Sequence, residues 1–331
     1  MIWISTIRDV AKAAKVSVAT VSRVLNNSDK VNEETKKRVL ETIRELDYKP
    51  NEVARSLFRK QSNTIALIVP DIKNPFFPEV ARAVEDVLNE KEFTLILCNS
   101  DEDPQKEQRY LDMMKQKYVD GVIIVTSTLQ KKEIEKSDIP IIALDRQLGN
   151  SIPSVSVDNF NGAREAVRHL KSAGCRKIAH IRGPHGIVSA DDRSDGYLHE
   201  TAHEPWYCDD LIVSGNFNHV ETFEAAIELM KRHPDLDGIF AGNDIMAAGA
   251  IKAAGTFGKK VPEELAVIGF DGIDLCRLTN PEITTMAQPI YELGATAAKL
   301  ILELIEGKEL AETHVLFDVT FSKGQSTKNV R

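Results

Sequence analysis

The sequence predicts an α/β protein in which a small helical head with a helix-turn-helix precedes a body of two lobes, each a doubly wound parallel sheet. Three observations lead there. Thr6 to Asn27 reads as two short helices joined by a tight turn. From Thr64 onward, apolar runs alternate with amphipathic helices in two successive series, the pattern of two parallel sheets. The charge is also unevenly divided: residues 1–60 carry 13 Lys and Arg against 8 Asp and Glu, so of the formal charge of −8 the rest of the chain holds −13. A basic head on an acidic body suits a polyanion contacted by the head alone. At 331 residues the chain exceeds one typical domain. We divide it into a head at 1–50, a hinge and linker at 51–63 and a two-lobed body at 64–331.

In the head, Thr6 and Asp9 stand three apart before an apolar run, so the hydroxyl can cap a helix while the carboxylate faces its positive end. Ile7, Val10, Ala11 and Ala14 give that helix one buried face. Lys15 and Val16 make the break. Ser17 can cap a second helix whose inner side is Val21, Val24 and Leu25, leaving Val18, Ala19, Ser22 and Arg23 outward. In such a motif the start of the second helix meets base edges, and neighbouring hydroxyls hold phosphates. Thr20 and Ser22 suit phosphate, and Arg23 suits a bidentate bond to guanine. Asn32 caps a third helix, Glu33 to Leu46, with Val39, Ile43 and Leu46 on one face. The lesser alternative is that the same helices are simply part of an ordinary bundle.

Pro50 ends the head. Asn51 to Leu57 is helix-competent but too short to be stable unaided, which would make it a switch if it forms only where two copies pack on DNA. The body's first series places strands at Ile65 to Pro70, Thr94 to Cys98, Gly121 to Val125 and Pro140 to Leu144, with helices near 76–91, 104–117 and 129–136. The second places strands near 177–183, 211–214, 238–241 and 265–270, with helices near 159–173, 190–203, 219–232 and 243–257. Chains that cross between two such lobes bind small molecules in the cleft, at the carboxyl ends of the strands. Asn74, Asp145, Arg146, Asn243, Asp244 and Asp271 all fall at those ends.

Cys98, Cys175, Cys208 and Cys276 are too scattered for a disulfide framework or a CxxC pair, so a reducing cytoplasm is expected. MIWIST does not read as a signal peptide, and no apolar stretch is long enough to span a bilayer. No GxGxxG, GxxxxGK[ST] or GxSxG occurs, and neither a cofactor nor a catalytic residue is expected. His199 to His203 spells HETAH, the zinc-protease pattern. Pro205 halts that helix at once, so we expect no metal there.

Read together, TIRDVAKAAKVSVATVSRVLN, PNEVARSL, PDIKNPFF, QKYVDGVII, GNDIMAAGA, IGFDG and TTMAQPIYELG resemble, in order and spacing, the lactose repressor (LacI/GalR) family. NPFF, IALDRQ, the Arg193 region, GNDIMAAGA, FDG and AQP also resemble the periplasmic ribose-binding protein, so the body should have a periplasmic-binding-protein-like fold. The resemblance implies a sugar-responsive repressor, here of a ribose uptake or utilisation operon, that binds a near-palindromic operator as a homodimer. Its effector would be ribose or a close derivative. It places Ser17, Val18, Ala19, Thr20, Ser22 and Arg23 against the major groove, and Asn51, Ala54 and the wedge Leu57 in a minor-groove hinge helix. It assigns Phe76, Phe77 and Phe217 to the sugar ring, and Asn74, Asp145, Arg146, Arg193, Asn243, Asp271 and Gln288 to its hydroxyls.

Some relatives also take a phosphorylated carrier protein as co-repressor, and no motif here bears on that partner. The chain departs from the family pattern at SDGYLHETAHEPWYCDD, which is unusually polar, and at Lys323, for which we have no functional reading. The competing reading is a cytoplasmic sugar-binding or sugar-metabolising protein with an incidental helical head.

Overall fold

The computed structural model describes residues 5–25, 30–48, 61–125, 134, 138–146 and 151–329. The chain divides into two compact units, Met1–Ser62 and Asn63–Arg331. The expected hinge residues Asn51, Ala54 and Leu57, and the expected helix at 129–136 apart from Ile134, lie outside the described residues.

The head contains α1 (Ile7–Ala13), α2 (Val18–Leu25) and α3 (Glu33–Glu45). Thr6 and Asp9 form a reciprocal capping box: the Thr6 backbone N–H donates to Asp9 at 2.9 Å, and the Asp9 N–H donates to the Thr6 hydroxyl at 3.4 Å. The Thr6 hydroxyl bond also holds the Asp9 carboxyl below its usual range. Lys15 adopts φ 53° at the turn, and the Ser17 hydroxyl accepts from the Thr20 N–H at 3.1 Å to start α2. Val10, Val21 and Val39 meet in a fully buried core. Arg38 ties α3 to α1 by donating to the Ala14 carbonyl at 3.0 Å, satisfying an orphan acceptor at a helix end.

The body opens with β1 (Thr64–Val69), α4 (Phe76–Asn89), β2 (Thr94–Asn99), α5 (Pro104–Gln116), β3 (Gly121–Ile124), β4 (Ile141–Leu144) and β5 (Ser154–Val157). These strands belong to a first sheet of order β11-β5-β4-β3-β1-β2, paired in parallel throughout. The second lobe runs α6 (Asn159–Ser172), β6 (Ile178–Arg182), α7 (Val188–Thr201), β7 (Ile212–Ser214), α8 (His219–Arg232), β8 (Gly238–Ala241), α9 (Asp244–Phe257), β9 (Ala266–Asp271), α10 (Leu275–Leu278) and β10 (Thr284–Ala287). The chain then returns as α11 (Ile290–Ile305), which packs on α4 in lobe 1, adds β11 (His314–Phe317) beside β5, and crosses once more to lay β12 (Thr320–Ser322) along β10. The chain therefore passes between the lobes three times, near residues 158, 288 and 318.

Two parallel sheets were expected, and the second carries one exception, because β12 runs antiparallel to β10. A strand that arrives from the other lobe across a two-residue link has no room for the helical crossover that a parallel partner requires. The polar helix α7 packs through satisfied groups rather than an apolar stripe. Tyr197 is fully buried and donates to the Ile178 carbonyl at 2.8 Å. The Ser194 hydroxyl lies 3.1 Å from Nε2 of the buried His180, and Thr201 donates to the Tyr197 carbonyl at 2.8 Å. Gly196 stands where any side chain would strike the Phe160 carbonyl of α6, so the two helices approach closely. Lys323 donates to the Thr327 carbonyl at 2.9 Å and to the Lys328 carbonyl at 3.0 Å, anchoring the C-terminal segment.

Candidate functional site: a cleft between lobes and a helix for DNA

A cavity of about 350 Å³ opens between the lobes. All ten residues that the sequence reading grouped as an effector site line it: Asn74, Phe76, Phe77, Asp145, Arg146, Arg193, Phe217, Asn243, Asp271 and Gln288. They come from the carboxyl ends of strands or from the helices that follow, which is where the topology of both sheets switches. Asn74 sits between β1 and α4, and its carboxamide oxygen accepts from the Phe76 N–H at 3.1 Å. That bond starts α4 and fixes Phe76 and Phe77 edge to face, with ring centres 5.2 Å apart. Both rings are buried and belong to the apolar core as well as to the cavity wall. Phe217 reaches in from the turn after β7 with φ 54°, and a methyl added at Gly183 would fall inside its ring.

The polar floor is a buried network centred on Arg193. Its guanidinium pairs with Asp271 at 3.1 Å and donates to Asn159 at 2.8 Å and to the Gly242 carbonyl at 2.6 Å. It also lies 3.8 Å over the Phe270 ring. Gln288 donates to Asp271 at 2.7 Å, and its buried carboxamide oxygen has no hydrogen-bond partner among the described residues. Asn243 caps α9 with its oxygen on the Met246 N–H at 2.9 Å, so its amide N–H groups remain as donors. Asp244 buttresses this floor from behind, accepting from the Gly272 and Ile273 N–H groups and the Thr285 hydroxyl. Burial pushes the Asp145 carboxyl up to about 6, opposed by the charge of Arg193 and reinforced by Asp271. Burial likewise raises the Asp271 carboxyl, against the pull of Arg193.

Sequence reasoning missed several wall residues. Ser189 donates to Asp145 at 3.2 Å, and Asp71, Lys73, Asp101, Glu102, Asn216 and Asn218 stand at the rim. One signal is structural only: of the eleven non-glycine residues with positive φ among the described residues, six (Asp101, Glu102, Asp145, Asn216, Phe217, Asp271) line this cavity. Backbone strain concentrates where side chains must be aimed.

On α2, Val18, Ala19 and Arg23 are exposed, Thr20 and Ser22 are half-buried, and Val21 and Val24 face the core. Ser17 and Thr20 hold each other, with hydroxyl oxygens 2.9 Å apart. Of the four residues that the spacing put outward, Val18, Ala19 and Arg23 are exposed, and Ser22 is only half so, because it borders the buried Val21.

Residues 6–51 match the family described as bacterial regulatory proteins of the lacI family, and residues 62–323 match that of periplasmic binding proteins and the sugar binding domain of the LacI family. The chain belongs to the LacI family. A LacI-family relative from Halalkalibacterium halodurans, named ribose operon repressor, is 51% identical over 92% of each chain. The ribose operon repressor of Bacillus subtilis is 41% identical over 98% of this chain and 99% of its own. Among solved structures, a LacI family transcriptional regulator from Enterococcus faecium with bound ribose is 33% identical. It covers 81% of this chain and all of its own length, at a TM-score of 0.73. No helix among the described residues is long and apolar enough to cross a membrane.

Proposed function

We propose that this LacI-family chain is a cytoplasmic, ribose-responsive transcriptional repressor that binds a near-palindromic operator as a homodimer and takes ribose in the cleft. The observation that carries the reading is the convergence on one cavity of flat apolar rings and buried groups that both donate and accept. A pyranose or furanose needs that combination, because its faces are apolar while each hydroxyl donates and accepts. The relatives named as ribose operon repressors and the ribose-bound neighbour agree with it.

The cavity favours a neutral sugar over a phosphorylated one. With Arg193 and Asp271 paired to each other in the floor, four carboxyl groups (Asp71, Asp101, Glu102, Asp145) line the rest of it against two cations (Lys73, Arg146). A phosphate would enter a field of its own sign. Calorimetric titration should give heat with ribose and none with ribose 5-phosphate, and ribose should release operator DNA in a mobility-shift assay. Absence of heat with ribose would remove ribose from this cleft. Turnover assays with ribose should be blank. The DNA roles of Ser17, Val18, Ala19, Thr20, Ser22, Arg23, Asn51, Ala54 and Leu57, and any co-repressor protein, are part of the same proposal.

Two further outcomes are expected. Gly183→Ala should displace the Phe217 ring and cost ribose affinity about tenfold or more, the scale of a core overpacked by one methyl. Phe217 is half-buried against the core, so a thermal melt must accompany the titration. Unchanged affinity would take Phe217 out of sugar contact. The second concerns pH. Asp145 lies near 6, and sugar hydroxyls that donate to it favour the ionised form. Affinity should therefore fall as pH drops from about 7.5 to about 5, and binding near pH 6 should release protons, read as a dependence of the heat on buffer ionisation enthalpy. A flat profile would place Asp145 outside the hydrogen bonds to the sugar.

A further inference from the structure

Lobe 2 carries a second group of chemically matched side chains, in the polar stretch that the DNA and effector readings leave without a role. Cys208, Asp210 and His233 bring a thiol, a carboxylate oxygen and an imidazole nitrogen within 4.8 Å of one another. Cys208 and Asp210 flank the turn that leads into β7, and His233 closes α8 just ahead of β8. Both segments enter their strands at the amino ends, so the group stands at the opposite end of the sheet from the effector cavity.

His233 is the telling member. Its side chain is nine-tenths buried, and Nε2 faces Asp210 Oδ2 at 3.3 Å without making a hydrogen bond among the described residues. A buried polar atom left this way keeps the cost of its lost hydration, and a bound cation removes that cost. Cys208 is exposed and Asp210 is half exposed, so an ion reaches both from solvent.

We propose that Cys208, Asp210 and His233 bind a divalent transition metal of the zinc class, with water as the fourth ligand. A thiolate beside an imidazole selects zinc or its neighbours over magnesium and calcium, which prefer oxygen alone. Three protein ligands and one open position form a tetrahedral site. Binding releases the Cys208 proton to solvent and turns the guanidinium of Arg232, now 3.4 Å from the same Asp210 oxygen and partly exposed, outward. The ion fastens the stretch 202–210 to the end of α8 and so clamps β7, the edge strand of its sheet. The HETAH histidines are not part of it: α7 ends at Thr201, and His199 contacts Glu200 at 3.3 Å.

Cobalt(II), a spectroscopic stand-in for zinc, tests the site on the metal-free full-length chain. One equivalent should bind with a thiolate-to-cobalt charge-transfer band and tetrahedral visible bands, and zinc should displace it. Cys208→Ser should abolish the charge-transfer band. Asp210→Asn should weaken binding by at least about tenfold, the lower end of what even an outer-shell partner is worth. Both positions lie at the surface, so neither variant should disturb folding. His199→Ala with His203→Ala should change nothing. A missing band, a band retained in Cys208→Ser, unaltered affinity in Asp210→Asn, or binding lost with His199 and His203 would each overturn the assignment.

Discussion

Asp271→Asn is expected to leave operator affinity intact while weakening ribose binding roughly ten- to a hundredfold, so that ribose no longer releases DNA at the concentration that releases it from the parent. The carboxylate accepts from Gln288 and pairs with Arg193 inside the cavity wall, and a hydrogen bond to a charged group contributes about 1.5–3 kcal/mol. Asparagine keeps the volume but removes the charge, leaving Arg193 with Asn159 and the Gly242 carbonyl alone. Breaking a buried pair from one side costs about 3–5 kcal/mol of stability, so a thermal melt must accompany the titration. The coupling between sugar and operator extends only as far as ribose distinguishes the two arrangements of the body. A variant that melts lower yet still lets go of operator at the parental ribose concentration would show that Asp271 supports the fold and does not read the sugar.

Arg23→Ala should cost about 1–3 kcal/mol on the preferred operator and relax selectivity at a single base pair. Arg23 projects from α2 beside the exposed Val18 and Ala19, while the opposite face of the helix is locked by Val21 and Val24. The salt dependence of binding is steep wherever Lys and Arg displace counterions, and losing a base contact should leave that slope nearly unchanged. Measuring affinity on operators that carry each base at the affected position separates the cases. An equal loss on every operator, with a shallower salt slope, would make Arg23 a phosphate contact.

How far the sequence could be read follows from how each element is built. The Thr6 and Asp9 capping box, the Ser17 cap and the inward valines of the head obey local rules, and the structure shows each as expected. Strands such as β1 and β9 are buried on both faces and read as apolar runs. β5 (SVSV), β11 (HVLF) and β12 (TFS) do not, since they are short and their places come from partners far away in sequence. β10 is fully or partly buried, yet half of it is threonine, held by hydrogen bonds that no periodicity reveals. The ten cleft residues were grouped by resemblance more than by pattern, and their meeting in one cavity is a property of the crossings between lobes. Ser189 and the rim residues carry no mark in the sequence, because what selects them is proximity.

Those three crossings have a consequence for synthesis. β1 leaves the ribosome some 250 residues ahead of β11, yet both belong to one sheet, and β10 waits for β12 at the far end of the chain. Neither lobe is complete until almost the last segment has emerged, and long-range closure of this kind slows folding and prolongs the exposure of unpaired strand edges. The head needs only its first few dozen residues. A nascent chain therefore carries a finished DNA-reading module through most of translation while its sugar sensor is still in pieces, and a protein stopped at about residue 310 would retain the reader with neither half of the sensor closed.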